Sequence, residues 1–404
     1  MNGIKIGEKI SKFPLIQGGM GVGVSMHQLA GAVAKEGGIG IISTADIGYQ
    51  EPDFVKNPHA ANLRAIGKEL AKARKIAPNG ILGFNVMVAL SDYDDIVAEC
   101  VAQHADLIIS GAGLPMDLPK FVLGTETKIA PIVSSVRALN LLVKKWRTKY
   151  HYLPDMIVIE GPKAGGHLGY KKEDLDAPAC SLEHTTLEIL NTVKQLEAES
   201  GKEIPVIVAG GIFDSKDITH FMNLGASGVQ MATRFTATEE CDASLAYKMA
   251  YVNASDSDIK IIKSPVGMPG RALNNSFIQR TMLTREPISR CYNCIKTCHV
   301  KDAPYCITKA LIDAVEGDIE NGLIFCGSNV GRIHEITTVH QLMQELFTMK
   351  VPDSGHEERM PACGESWTLD GQAGMSKQGD STDYEYRRRL REHDCLLYTS
   401  DAAD

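Results

Sequence analysis

No run of eighteen or more apolar residues occurs among the 404 residues, so nothing in the sequence reads as a membrane-spanning helix. The opening stretch, MNGIKIGEKISKF, lacks the apolar core and small-residue cleavage site of a secretory signal, and a cytoplasmic protein is expected. Positive charge is also scarce. Lys and Arg number 42 against 50 Asp and Glu, a net charge of -8, with much of the acidic excess falling after residue 349. No global field draws in nucleic acid or an anionic membrane, which leaves small molecules as the expected partners. In a reducing compartment the ten cysteines read as thiols, metal ligands or redox groups rather than disulfides. At 44% apolar and 23% charged, the chain has material for one large core or two ordinary ones.

What is present is a series of short, continuously apolar runs bounded by glycine and proline. They fall at 15–19, 39–43, 81–88, 107–110, 129–134, 156–160, 205–209 and 228–232. Continuous rather than alternating apolarity is the pattern of parallel strands covered on both faces. Helical periodicity fills the gaps at 26–35, 60–75, 91–103, 136–149, 185–199 and 215–224. Eight strands alternating with helices predict a (β/α)8 barrel, a TIM barrel, over residues 1–235. A doubly wound dinucleotide fold is disfavoured because GGMGVG at 18–23 lacks the GxGxxG spacing. Residues 236–346 are too long for a final barrel helix and read as a mostly helical C-terminal lobe. From 347 onward a polar tail without periodicity is expected to be disordered, and its last ten residues, CLLYTSDAAD, resemble translated adapter sequence.

Barrel enzymes build their sites after the C-terminal ends of the strands, and here those positions are rich in glycine. After the sixth strand, EGPKAGGHLG at 160–169 delivers His167 between glycines that let backbone approach a ligand closely. An imidazole there can exchange a proton near neutrality or hold an anion, which makes His167 the catalytic candidate. After the seventh strand come Gly210 and Gly211, and at the eighth Gln230, Met231, Ala232 and Thr233. Loops seven and eight of barrels commonly bind phosphate through backbone N–H groups. Since neither a Walker lysine nor a pyridoxal lysine context occurs, FMN is the expected phosphate-bearing cofactor.

The ordered motifs IQGGMG, GFNVMV, IISGAGLP, EGPKAGGHLG, PVIVAGGI and GASGVQMATRF, with SPVGMPGRAL following, resemble the nitronate monooxygenase (2-nitropropane dioxygenase) family, which includes flavin-dependent enoyl-acyl carrier protein reductases. The resemblance implies FMN held without covalent attachment. Gly19, Met20 and Asn85 would line the flavin, and Gly166, Gly211, Gln230, Met231, Ala232 and Thr233 would hold its edge, ribityl chain and phosphate. His167 inherits the catalytic role. Ala232 stands where relatives often carry glycine. Three chemistries share such a site. The first is oxidation of nitronates or nitroalkanes by molecular oxygen to carbonyl compounds and nitrite, and the second is NAD(P)H-dependent reduction of an enoyl thioester or quinone. The third is a nonenzymatic flavoprotein subunit. A dehydrogenase acting on a nucleotide would need a nucleophilic cysteine in a strand-end loop, and none is present there.

Two further features stand apart. Cys291, Cys294, Cys298 and Cys306 lie within sixteen residues, a density that suits an iron-sulfur cluster, or else a zinc ion, although the spacing copies no common repeat and simple packing thiols are the alternative reading. Cys100, Cys180, Cys241 and Cys326 read as isolated small apolar residues. Arg271, in SPVGMPGR, offers a planar fork that suits either a substrate's acid group or a set of backbone carbonyls. The Arg387–Arg389 triplet reads as solvated charge among acidic neighbours.

Overall fold

The computed structural model describes residues 2–348, so the expected tail, the Arg387–Arg389 triplet and the adapter-like end lie outside the described residues. Eight parallel strands close a barrel: β1 (Leu15–Gln17), β2 (Ile39–Ser43), β3 (Ile81–Met87), β4 (Leu107–Gly111), β5 (Lys128–Val133), β6 (Ile157–Glu160), β7 (Val206–Ala209) and β8 (Gly228–Met231). Neighbours in sequence are neighbours in space, and β8 closes onto β1 through Val229–Leu15, Gln230–Ile16 and Met231–Gln17 pairing. The predicted (β/α)8 barrel is therefore the observed fold.

The continuous apolarity of the strands follows from their two burial partners. Ile39, Ile41, Ile81, Leu107, Ile109, Val158 and Ile207 fill the barrel interior, while Ile42, Leu82, Phe84, Val86 and Ile108 face the helical shell. Both faces are dry, so apolar side chains dominate both, and the few polar ones, such as Gln17 and Ser110, are hydrogen-bonded. Burying one such side chain contributes about 1.5–3 kcal/mol. The barrel floor is stoppered by Ile4 and Ile6 from an N-terminal hairpin, Lys5–Ile6 against Lys9–Ile10.

The shell comprises α1 (His27–Lys35), α2 (Pro58–Ile76), α3 (Tyr93–Ala102), α4 (Pro119–Val122), α5 (Val136–Lys145), α6 (Leu182–Ser200), α7 (Ser215–Leu224) and α8 (Thr233–Thr236). Their starts are set by caps: Asn57, Ser135 and Ser181 accept the N–H groups of Ala60, Ala138 and His184, and Asp214 and Asp217 form a capping box on α7. Each cap satisfies N–H groups that the helix itself cannot.

After α8 the chain leaves the barrel. It builds α9 (Leu245–Val252), an antiparallel pair β9 (Ile259–Lys263) and β10 (Pro269–Leu273), then α10 (Ser276–Leu283) and α11 (Ile307–Glu316). It returns as α12 (Val339–Phe347), whose Val339, Leu342, Met343 and Leu346 pack into the same core as α1 and α7 residues. Thus α12 fills the shell position between α7 and α1 that the four-residue α8 is too short to cover. The excursion also adds a wall above the barrel, because β10 pairs with the two-residue strand Gly166–His167 in the loop after β6. Among the described residues no helix is long and apolar enough to cross a membrane.

Candidate active site

The loops after the strands converge on one cleft at the C-terminal end of the barrel. Gly19, Met20, Asn85, Gly166, His167, Gly210, Gly211, Gln230, Met231, Ala232 and Thr233 all line it. The loop after β1 is fixed by Ser25, whose Oγ accepts the Met20 N–H at 2.7 Å while its own N–H donates to the Met20 carbonyl at 2.9 Å. Gly19 lies so close to Asn85 that a Cβ at Gly19 would stand 2.5 Å from the Asn85 Cβ. Gly210 and Gly211 take φ values of +92° and +114°, and a Cβ on Gly210 would meet the Gly161 carbonyl oxygen at 2.8 Å. Only glycine allows that turn at that separation.

His167 is held from three sides. Its backbone pairs with Gly270 of β10, its ring meets Phe325 edge-on at 5.0 Å, and its Nε2 lies 2.7 Å from Ser264 Oγ. Burial pushes its pKa down to about 4, so the imidazole is neutral at pH 7. Glu160, the last residue of β6, lines the same cleft, and burial pushes its carboxyl up to about 7. Desolvation thus favours the uncharged form of both groups, and the titration range of Glu160 falls at neutrality.

The loop that carries His167 is anchored by Arg271. Its guanidinium is buried and donates from Nη1 to the carbonyls of Pro162, at 2.9 Å, and Ala164. Of the two uses open to Arg271, the structure takes the tie to backbone. The segment 325–329 straps the site from above: Tyr251 donates its hydroxyl to the Phe325 carbonyl, Asn329 Nδ2 donates to the Gly211 carbonyl at 2.8 Å, and the Ser328 N–H donates to the Lys163 carbonyl at 3.2 Å. A Cβ at Gly327 would stand 2.4 Å from Thr233 Oγ1, so glycine is what admits the strap. Cys326, expected to be an isolated packing residue, is buried and borders the cleft.

Sequence reasoning missed Glu160, Ser264, Tyr251, Phe325, Ser328 and Asn329. Glu160 had a signal, a lone acid ending the apolar run MIVIE beside the glycine loop. The others come from the excursion after α8, and apart from Ser264, which opens SPVGMPGRAL, they carry no local mark.

The expectation of a metal at the four cysteines finds no support. Among the described residues no three His, Cys, Asp or Glu side chains form a group that could hold a metal ion. Cys291 is exposed, whereas Cys294 is mostly buried and its thiol is pushed up to about 12 by burial, with Asp46 adding to the rise. Cys298 and Cys306 are also raised by burial. Neither an iron-sulfur cluster nor zinc is supported at Cys291, Cys294, Cys298 and Cys306.

A model of the nitronate monooxygenase family matches residues 5–348. The chain belongs to that family. A probable nitronate monooxygenase of Staphylococcus saprophyticus is 26% identical over 297 residues, covering 67% of this chain and 78% of the relative. FabK from Thermotoga maritima superposes with a TM-score of 0.64 at 26% identity, over 83% of this chain and 92% of FabK. The nitroalkane oxidase of Streptomyces ansochromogenes gives a TM-score of 0.64 at 19% identity, over 83% and 95%, a likeness of fold. This member of the family is an FMN-dependent oxidoreductase. Its cleft fits that cofactor on its own chemistry. Gln230 Oε1 and Ser328 Oγ are buried there without a hydrogen-bond partner among the described residues. Buried polar atoms left this way point to a polar ligand that supplies the missing bonds.

Proposed function

We propose that this protein oxidises nitronates with molecular oxygen, releasing a carbonyl compound and nitrite. One observation carries the reading: a half-buried imidazole held neutral by desolvation, His167, stands in the barrel-end cleft among glycine loops that admit a flavin. Gly19, Met20 and Asn85 would flank the ring system, while Gly166, Gly210, Gly211, Gln230, Met231, Ala232 and Thr233, joined by Ser328, would hold its edge, ribityl chain and phosphate. Bound there, FMN supplies the two-electron chemistry that couples oxidation of an organic anion to oxygen. His167 orients the substrate anion by a hydrogen bond, or takes the α-proton of a neutral nitroalkane. Phe325 covers one side of the imidazole edge-on, and Tyr251 holds Phe325 in place through its carbonyl. Glu160 is the one acid in this cleft whose proton is exchangeable near neutrality.

The likeness to FabK at 26% identity favours a second reading, an NAD(P)H-dependent reductase acting on an enoyl thioester or quinone. The two separate in one experiment. The yellow protein is mixed without oxygen with a nitronate, NADH or NADPH in turn while flavin absorbance is followed. Bleaching by the nitronate but by neither nicotinamide, with nitrite appearing once air is admitted, is the expected result. Bleaching by a nicotinamide alone moves the protein to the reductase branch. Protein that releases no flavin on acid treatment would be a scaffold, and both readings would fall.

A further inference from the structure

Ser264 sits at the end of β9, in the turn to β10, and is 2% exposed. Its Oγ has two partners among the described residues: the Val266 N–H, which donates to it at 3.3 Å, and His167 Nε2 at 2.7 Å. A hydroxyl carries one proton and two lone pairs. If Nε2 carried a proton and donated it, both Oγ partners would be donors, and the serine's own proton would be buried without an acceptor. Leaving a buried polar group unmade costs about 1–3 kcal/mol. The arrangement satisfies every group only when Ser264 donates to Nε2, which leaves the proton of the neutral imidazole on Nδ1. Nδ1 has no hydrogen-bond partner among the described residues, and the ring lines the cleft.

We propose that Ser264 is a positioning residue: its hydroxyl donates to Nε2 of His167, fixes the Nδ1–H tautomer, and so presents a hydrogen-bond donor rather than a base to an oxygen anion of the substrate. This deepens the reading of His167 given under Proposed function and rests on it for the substrate contact. The turn around Ser264 is built to hold the hydroxyl still. The Ser264 N–H donates to the Met268 carbonyl at 3.2 Å, the Gly267 N–H donates back to the Ser264 carbonyl at 2.9 Å, and Thr297 Oγ1 donates to the Val266 carbonyl at 3.3 Å. Phe325, edge-on to the imidazole, restricts rotation of the ring away from Ser264.

The test uses FMN-loaded, full-length protein labelled with 15N-histidine, read by long-range proton–nitrogen correlation. His167 is assigned by the signals lost in His167→Asn. In the parent protein Nδ1 is expected to be the protonated, pyrrole-type nitrogen and Nε2 the pyridine-type nitrogen. Ser264→Ala should turn this into a mixture of tautomers and lower kcat about tenfold with flavin content unchanged. Ser264→Thr, which keeps the hydroxyl, should restore both the spectrum and most of the turnover. A protonated Nε2 in the parent, or a parent-like pattern in Ser264→Ala, overturns the proposal. Normal turnover in His167→Asn, with the expected tautomer present in the parent, overturns the substrate contact and the catalytic reading together, and the spectra separate that failure from the first.

Discussion

Replacing Arg271 by Met removes the cation that ties the excursion to the loop carrying His167 while keeping an unbranched apolar stem. Two carbonyls, those of Pro162 and Ala164, then lose their donor in a buried setting. Each unsatisfied acceptor costs about 1–3 kcal/mol. Against that stands the relief of no longer desolvating a guanidinium, whose pKa burial already lowers. A net loss of about 2–4 kcal/mol follows. Unfolding entropy of about 2.1 cal/mol/K per residue over roughly 350 residues makes 0.7 kcal/mol equivalent to about 1 °C, so Tm should fall by about 3–6 °C. Differential scanning calorimetry reads this directly. Because the freed segment positions His167, turnover should fall at least tenfold as well, or about 1.4 kcal/mol of barrier. Arg271→Lys, with its charge but without the planar fork, should lie between. A Tm within 1 °C of the parent and unchanged turnover in Arg271→Met would show that these carbonyls do not depend on Arg271.

His167→Ala should remain yellow yet lose at least tenfold in turnover, about 1.4 kcal/mol of barrier, and unchanged kinetics would remove His167 from the mechanism. Glu160→Gln tests the carboxyl that burial pushes up to about 7. Its folded pKa lies above the ordinary value of 4.5, so folding favours the protonated form and the parent should lose stability as pH rises from about 4.5 through 7. The variant should flatten that slope and remove any break near pH 7 in kcat/KM, and a break that persists would belong to another group. For His167 the sign is opposite: its pKa is held down to about 4, so its contribution is lost as pH falls from 6.5 toward 4, and it adds no break between pH 7 and 8. Gly211→Ala forces a side chain into φ +114° with its Cβ 3.1 Å from the Lys163 Cβ, a strain of about 1–3 kcal/mol that should show as weaker FMN retention on dialysis. Equal retention would mean the loop relaxes freely.

The barrel was legible because its demands are local and repeated. Every strand must be apolar on both faces, so IGIIS at 39–43 and LIISG at 107–111 announce themselves without reference to a partner, and their observed bounds differ from the predicted ones by at most a residue. The helix expected at 136 starts where Ser135 caps it, whereas the one expected at 185 starts three residues earlier, at Leu182, because Ser181 caps it. Convergence of the strand-end glycines on one cleft then follows from closure of the sheet. The segment after α8 obeys no such repeat. Its β9–β10 pair is stabilised by a partner strand more than a hundred residues before β10's pairing residues, Gly166–His167, and nothing in 259–273 alone names that partner.

The cysteines show the same limit from the other side. Dense spacing supplies opportunity for a metal site, but convergence is decided by what pins the backbone between the thiols. Here Ile295 bridges to Leu90, the Lys296 N–H donates to the Ala89 carbonyl at 3.0 Å, and Tyr292 stacks on Phe54 at 5.6 Å. Those contacts anchor the segment across the loops after β2 and β3, leaving Cys291 exposed while Cys294 is drawn toward buried Asp46. Ser264 is the converse case, the first residue of SPVGMPGRAL, to which that motif gives no role and which the fold brings to 2.7 Å from the one histidine the sequence singled out. A histidine flanked by glycines declares that chemistry happens nearby. Which of its nitrogens does it depends on a hydroxyl delivered from 97 residues away, and hence on packing that no window of sequence contains.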